Sequence, residues 1–140
     1  MEQVWTKKYI DDLTYQIIGA AIEVHKILGP GLLESVYHKC MMQELTIRGI
    51  KFVSELKIKF DFKGYELDSG LRCDLLVENC IISEFKAVTA FTPIDKAQVM
   101  SHMNLLKKPK GILINFNCTN IFKEGQKTFV NDIYRNLKDE

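Results

Sequence analysis

The segment Asp74-Leu75-Leu76-Val77-Glu78-Asn79-Cys80-Ile81-Ile82-Ser83-Glu84-Phe85-Lys86 constrains the fold more than any other stretch of the chain. Two short β-type runs flank a polar turn signal at Glu78-Asn79, so it reads as a hairpin. The second run is apolar on both sides of its pleat, which is the pattern of an interior strand. Residues two apart on a strand share a face, which sets Glu84 and Lys86 side by side, about 7 Å apart. A charge among Ile81, Ile82 and Phe85 costs several kcal/mol unless it is paired, protonated or bound to a metal. The hairpin therefore needs partners for its charges wherever it is buried.

A second Glu-x-Lys, Glu55-Leu56-Lys57, serves as an internal control. There Lys57, Lys59, Asp61 and Lys63 alternate with Leu56, Ile58, Phe60 and Phe62, so the charged side is a solvated face. Glu84 and Lys86 have no such outlet. They are either a buried structural ion pair, an edge-strand feature, or part of a chemical site. The site reading carries a geometric condition. Asp74 stands opposite Glu84 only if the turn has three residues, Glu78 to Cys80, or the strand has a bulge; a two-residue loop would set Asp74 opposite Ser83 and turn it away.

Around the hairpin, Asp11 and Asp12 open a predicted helix with Leu13, Ile17, Ala20, Ala21, Val24, Ile27 and Leu28 on one face. It stops at Gly29-Pro30-Gly31, where the chain turns into a second helix from about Leu32 to Arg48, capped by Gly49. Strands are expected at Leu56–Phe62, Tyr65–Leu67, Leu71–Val77 and Cys80–Lys86, with a turn at Lys63-Gly64 and an interruption near Ser69-Gly70. Thr92-Pro93-Ile94-Asp95 carries a helix start, with proline at the first position and an acid three residues after the cap. That helix runs to about Leu106 and leads to a buried strand, Gly111–Phe116. A strand, helix, strand order makes the last strand parallel to the Glu84 strand. Residues 125–137 fit one more strand or a helix.

With 140 residues and a net charge of +1, the chain suits one domain, 1–140 with a core at about 11–118, and is no histone-like polycation. Cys40, Cys73, Cys80 and Cys118 form no C-x-x-C pair, and no two of His25, His38 and His102 have metal-ligand spacing. His25 reads as a capping or packing residue, His38 and His102 as surface residues. The stretch Met1–Lys8 has no signal-peptide core and no apolar run is long enough to span a membrane, which gives the expectation of a cytoplasmic protein without a membrane partner. Glu34, in the first turn of the second helix, would by itself interact favourably with the helix dipole.

Asp74, Glu84 and Lys86 suit phosphodiester hydrolysis. Carboxylates on rigid strands favour Mg²⁺ or Mn²⁺ over zinc, and a lysine can orient a water or hold a phosphate. Leu28-Gly29-Pro30-Gly31-Leu32-Leu33-Glu34-Ser35-Val36-Tyr37 closely resembles the signature of the GxxExxY proteins, with Gly31, Glu34 and Tyr37 at the named positions. Further matches are Glu44-Leu45 before Arg48-Gly49-Ile50, Gly70 to Asp74, Glu84-Phe85-Lys86-Ala87-Val88, Ala97-Gln98 and Leu113-Ile114-Asn115-Phe116. That family is placed in the PD-(D/E)xK nuclease-like superfamily, and Cys73 stands where the superfamily's nominal proline would be.

The resemblance implies an α/β, restriction-endonuclease-like core, a mixed β-sheet flanked by helices. It further implies Asp74 and Glu84 as metal ligands, Glu34 as a helix-borne acid near the metal, Lys86 as the catalytic lysine and Gln98 as an accessory polar residue. The activity implied is Mg²⁺-dependent (or Mn²⁺-dependent) cleavage of nucleic acid, DNA foremost. The rivals are an accessory module that grips nucleic acid or a protein without cutting, and a structural subunit. A single cutting centre needs a second copy to cut both strands, so a homodimer or a protein partner stays open.

Overall fold

The computed structural model describes residues 4–140; Met1–Gln3, part of the polar N-terminal stretch noted above, lie outside the described residues. Helix α1 spans Lys7–Leu28 and begins earlier than Asp11, because the Thr6 hydroxyl accepts a hydrogen bond from the Tyr9 N–H and caps the first turn. Its buried face is Ile10, Leu13, Ile17, Ala20, Ala21 and Val24. Helix α2 spans Glu34–Ile47 and buries Tyr37, Met41 and Leu45. Gly49, just past its end, has φ +73°, the left-handed conformation that glycine reaches without strain.

A five-stranded mixed sheet follows, ordered β1-β2-β3-β4-β5, with β1 Phe52–Phe62, β2 Tyr65–Val77, β3 Ile81–Lys86, β4 Lys110–Asn115 and β5 Gln126–Val130. Strand β3 is the central one and runs parallel to β4, while the other neighbours are antiparallel. Its interior position is what its two-sided apolar sequence demands. The interruption expected at Ser69-Gly70 is instead a bulge inside one continuous strand. The register shifts between Lys57 and Lys59, and the Ser69 hydroxyl donates to the Ile58 carbonyl at 2.7 Å, so the pairing survives the extra residues.

Helices α1 and α2 cover one face of the sheet, over Leu75, Val77, Ile81, Phe85, Ile112 and Ile114. Helix α3, Pro93–Leu106, covers the other with Val99 and Met103 against Ile58, Leu76, Ile82 and Leu113. The capping box at its start is formed: Thr92 Oγ1 accepts from Asp95 N–H, and Asp95 Oδ2 from Thr92 N–H. Gly111 lets α3 sit close, since a Cβ there would lie 2.6 Å from both Val99 and Met103. Residues 125–137 hold both of the alternatives left open by the sequence: β5 follows a π-type turn at Ile121–Gly125, and a short helix α4, Asp132–Arg135, follows β5. No helix is long and apolar enough to cross a membrane among the described residues.

Candidate functional site

The site is built where β2 and β3 part. The turn between them has three residues, Glu78, Asn79 and Cys80, the first two with φ +47° and +60°. Val77 therefore pairs with Ile81, Leu76 with Ile82 and Leu75 with Ser83, which sets Asp74 across from Glu84. At that point side chains replace the backbone ladder. Asp74 Oδ2 accepts from the Phe85 N–H at 2.8 Å, and Glu84 Oε2 accepts from the Asp74 N–H at 3.3 Å. Each carboxylate thus satisfies a peptide N–H of the facing strand, as buried donors require.

A second irregularity adjoins the first. Ser54 pairs with Leu75 and Leu56 with Cys73, but Glu55, between them, has φ +57°. On either side of this residue the strands change which face they bury: Leu75 packs beneath α1 and α2, whereas Cys73 and Leu56 pack with α3. Strict period-two alternation thus fails at the Glu55–Asp74 position, and Asp74 is reached from the α2 side of the sheet.

That side holds a cavity of ≈ 420 Å³ lined by Glu34, Ser35, His38, Ser54, Glu55 and Asp74. Glu34 is exposed but faces this cavity, close enough for its charge to raise the Asp74 pKa. The turn that delivers Glu34 is locked by Tyr37. Its hydroxyl donates to the Gly29 carbonyl at 2.6 Å and accepts from the Leu32 N–H at 3.1 Å. The Tyr37 ring stacks on Phe116, with centroids 4.5 Å apart. Gly31, at φ +97°, supplies the backbone conformation. Gly31, Glu34 and Tyr37 therefore form one mechanical unit: a permissive turn, the acid it presents and the tether that fixes both.

Burial and the neighbouring Glu84 charge push Asp74 up to about 7, against the Phe85 N–H bond that favours its ionised form. Glu84 is 6 % exposed, and its Oε1 lies 2.5 Å from His102 Nδ1. His102, expected on the surface, is 2 % exposed. It occupies the inward stripe of α3 between Val99 and Met103, where the polar Ser101 and Asn104 beside it in the sequence face outward. The spacing of those two apolar residues was the available signal. His38, also expected on the surface, is half-buried. Its Nε2 lies 3.0 Å from Ser54 Oγ, and its ring meets Phe85 edge-on. His25, expected to cap or to pack, is half-buried and packs across the fold, with Nε2 2.8 Å from the Cys118 carbonyl.

Lys86 is half-buried at the end of β3, and its side chain is in neither a salt bridge nor a hydrogen bond among the described residues. Its main chain is held: its carbonyl accepts from the Phe116 N–H at 2.9 Å. Neighbouring Asn115 straps the following loop by bonds to both the N–H and the carbonyl of Val88. Gln98 is half-buried one helical turn before His102, on the same side of α3 and toward the Lys86 end of the strand. The control pair behaves as a solvated one, with Glu55 and Lys57 both exposed.

The donor set fits a hard divalent cation. Asp74 and Glu84 crowd two carboxylates into one gap, and their mutual repulsion is what a cation relieves. No three histidine, cysteine or acidic side chains form a ready cage among the described residues. Magnesium-type ions do not require one, since they keep several waters and take one or two carboxylates together with phosphate oxygens.

A model of the PD-(D/E)XK nuclease superfamily matches residues 11–129. The chain belongs to this superfamily, and its five-stranded mixed sheet flanked by helices is the corresponding restriction-endonuclease-like α/β fold. Searches of curated proteins and of solved structures return no match. Nucleases of this superfamily typically use divalent metals and act on nucleic acid.

Proposed function

We propose that the protein is a Mg²⁺- or Mn²⁺-dependent nuclease that hydrolyses phosphodiester bonds of nucleic acid, DNA foremost. The observation that carries this reading is the exchange of carboxylates across the β2–β3 gap. Asp74 and Glu84 replace ladder bonds there, and Asp74 is pushed up toward neutrality by burial and by its neighbour. Two carboxylates pressed together in a buried gap are costly, and a cation bound by both would offset that cost.

Asp74 and Glu84 would hold the ion, with Glu34 contributing from across the cavity. The chemistry supplied by the ion when bound is neutralisation of charge on the phosphate. Lys86, whose side chain has no hydrogen-bond or salt-bridge partner among the described residues, orients the attacking water or grips the phosphate. Gln98 supports the same end of the strand from α3. The wall of α1 and α2 excludes bulk solvent from the apolar side of β3. Within the superfamily we assign the chain to the GxxExxY group, because the Gly31–Glu34–Tyr37 unit gives each named position a physical task.

The test is incubation of the purified protein with labelled single- and double-stranded DNA and RNA in Mg²⁺, Mn²⁺ or EDTA, beside Lys86→Ala. Cleavage that needs the metal and disappears in Lys86→Ala is expected. Failure of every substrate with every metal, together with no Mn²⁺ binding by calorimetry in the presence of nucleic acid, would overturn the reading.

A further inference from the structure

We infer that His102 is a positioning residue for Glu84: it holds one carboxylate oxygen so that the other stays directed into the β2–β3 gap beside Asp74. This rests on the nuclease reading above and adds a residue that the Asp, Glu and Lys pattern does not contain.

Glu84 has a long side chain, and a carboxylate at the end of three rotatable bonds must be restrained before it can present an oxygen in a fixed place. Two contacts supply the restraint. Oε1 meets His102 Nδ1 at 2.5 Å, and Oε2 lies 3.3 Å from the Asp74 N–H. The first is short and buried, while the second is long, which leaves Oε2 the less committed of the two oxygens. As the donor to a carboxylate oxygen, the ring carries its proton on Nδ1. The opposite nitrogen, Nε2, is buried and has no hydrogen-bond partner among the described residues, so the only polar contact of the ring is with Glu84. The ring itself cannot drift. It is 2 % exposed and lies in the inward stripe of α3 beside Val99 and Met103, and that helix is seated on β4 at Gly111. A rigid helix thus controls the direction of a ligand carried by the central strand, an arrangement whose disruption in metal sites costs about 10–100-fold in affinity.

The experiment compares wild type with His102→Leu, which keeps apolar volume without a donor, and His102→Asn, whose amide nitrogen can take the place of Nδ1. Mn²⁺ affinity by calorimetry is the first readout, with a thermal melt on each variant. His102→Leu is expected to bind Mn²⁺ about 10–100-fold more weakly, and His102→Asn to stay within a few-fold of wild type. A merely structural histidine would change the melting temperature of both and the affinity of neither, and that result would overturn the inference. The second readout needs no histidine variant. The imidazole proton on Nδ1 of His102 should appear far downfield in the ¹H–¹⁵N spectrum of metal-free wild type and move upfield in Glu84→Gln; its absence from wild type would overturn the inference even if His102→Leu does not fold. Wild type that binds no Mn²⁺ at all would sink the nuclease reading and this inference together, whereas equal binding by wild type and His102→Leu sinks the inference alone.

Discussion

The chain carries the same tripeptide pattern twice, at Glu55-Leu56-Lys57 and at Glu84-Phe85-Lys86, and the fold treats the two copies in opposite ways. The first lies on the edge strand β1 with both charges exposed. The second lies on the central strand, where Glu84 is 6 % exposed and pinned between His102 and the Asp74 N–H. What separates them is the strand's place in the sheet, which the apolar residues on both sides of β3 announce and the alternation of β1 denies. A motif of this size gains meaning only from the hydrophobic pattern around it. Glu55 nevertheless lines the cavity that Asp74 and Glu34 share, through a backbone turned to φ +57°.

The largest expected contrast is in turnover. Lys86→Ala should lower cleavage by about 10²–10⁴-fold, whereas Lys57→Ala should leave it within a few-fold; a gel-based rate assay on both variants decides. Equal losses would erase the distinction between the copies. Glu84→Gln and Asp74→Asn should weaken Mn²⁺ binding by at least about 10-fold, with Glu55→Gln close to wild type, as read by calorimetry.

A smaller contrast concerns pH. The Asp74 carboxyl is raised to about 7 in the folded protein, so between its ordinary value and that point the folded state holds a proton that the unfolded state has lost. In metal-free protein this group's contribution to stability is therefore largest at acid pH and is lost as pH rises from about 4 to about 7. Asp74→Asn, which keeps an acceptor for the Phe85 N–H, should flatten that part of the profile and stabilise the protein at pH 8 by on the order of 2 kcal/mol. Glu55→Gln should not. Urea melts at pH 5 and pH 8 measure this, and parallel profiles for wild type and Asp74→Asn would show that neither burial nor Glu84 raises the Asp74 carboxyl. Smallest of all, Glu55→Gly should relieve a left-handed non-glycine backbone and stabilise by about 0.5 kcal/mol, seen as a slight rise in the urea midpoint.

Much of this was legible in the residues. Apolar runs on both sides of β3 gave its central place, and the need to oppose Asp74 to Glu84 required the three-residue turn at Glu78–Cys80 that the structure has. The capping box at Thr92 and the parallel crossover to β4 followed from local chemistry in the same way. Other features were hidden for identifiable reasons. The start of α1 depends on a threonine cap followed by Lys7-Lys8, with no acid in the first turn to signal it. His102 is a polar residue in the inward stripe of α3, where only the spacing of Val99 and Met103 marked the buried side. The break in alternation at Glu55 and Asp74 needs a backbone that a glutamate rarely adopts, so no period-two pattern could reveal it.

The carboxylates that bridge β2 and β3 also change what the survival of each residue would mean in a descendant of this chain. Asp74 supplies the acceptor for the Phe85 N–H, so a lineage with no nuclease chemistry at all would still be under pressure to keep it or an asparagine for the integrity of the sheet. Lys86 has no such second employment, since its side chain ties nothing together among the described residues. Its loss would leave the fold nearly untouched. Of the three charged residues with which the hairpin begins and ends, the lysine is the one with no architectural task among the described residues, so its retention or loss is what would report on the proposed chemistry.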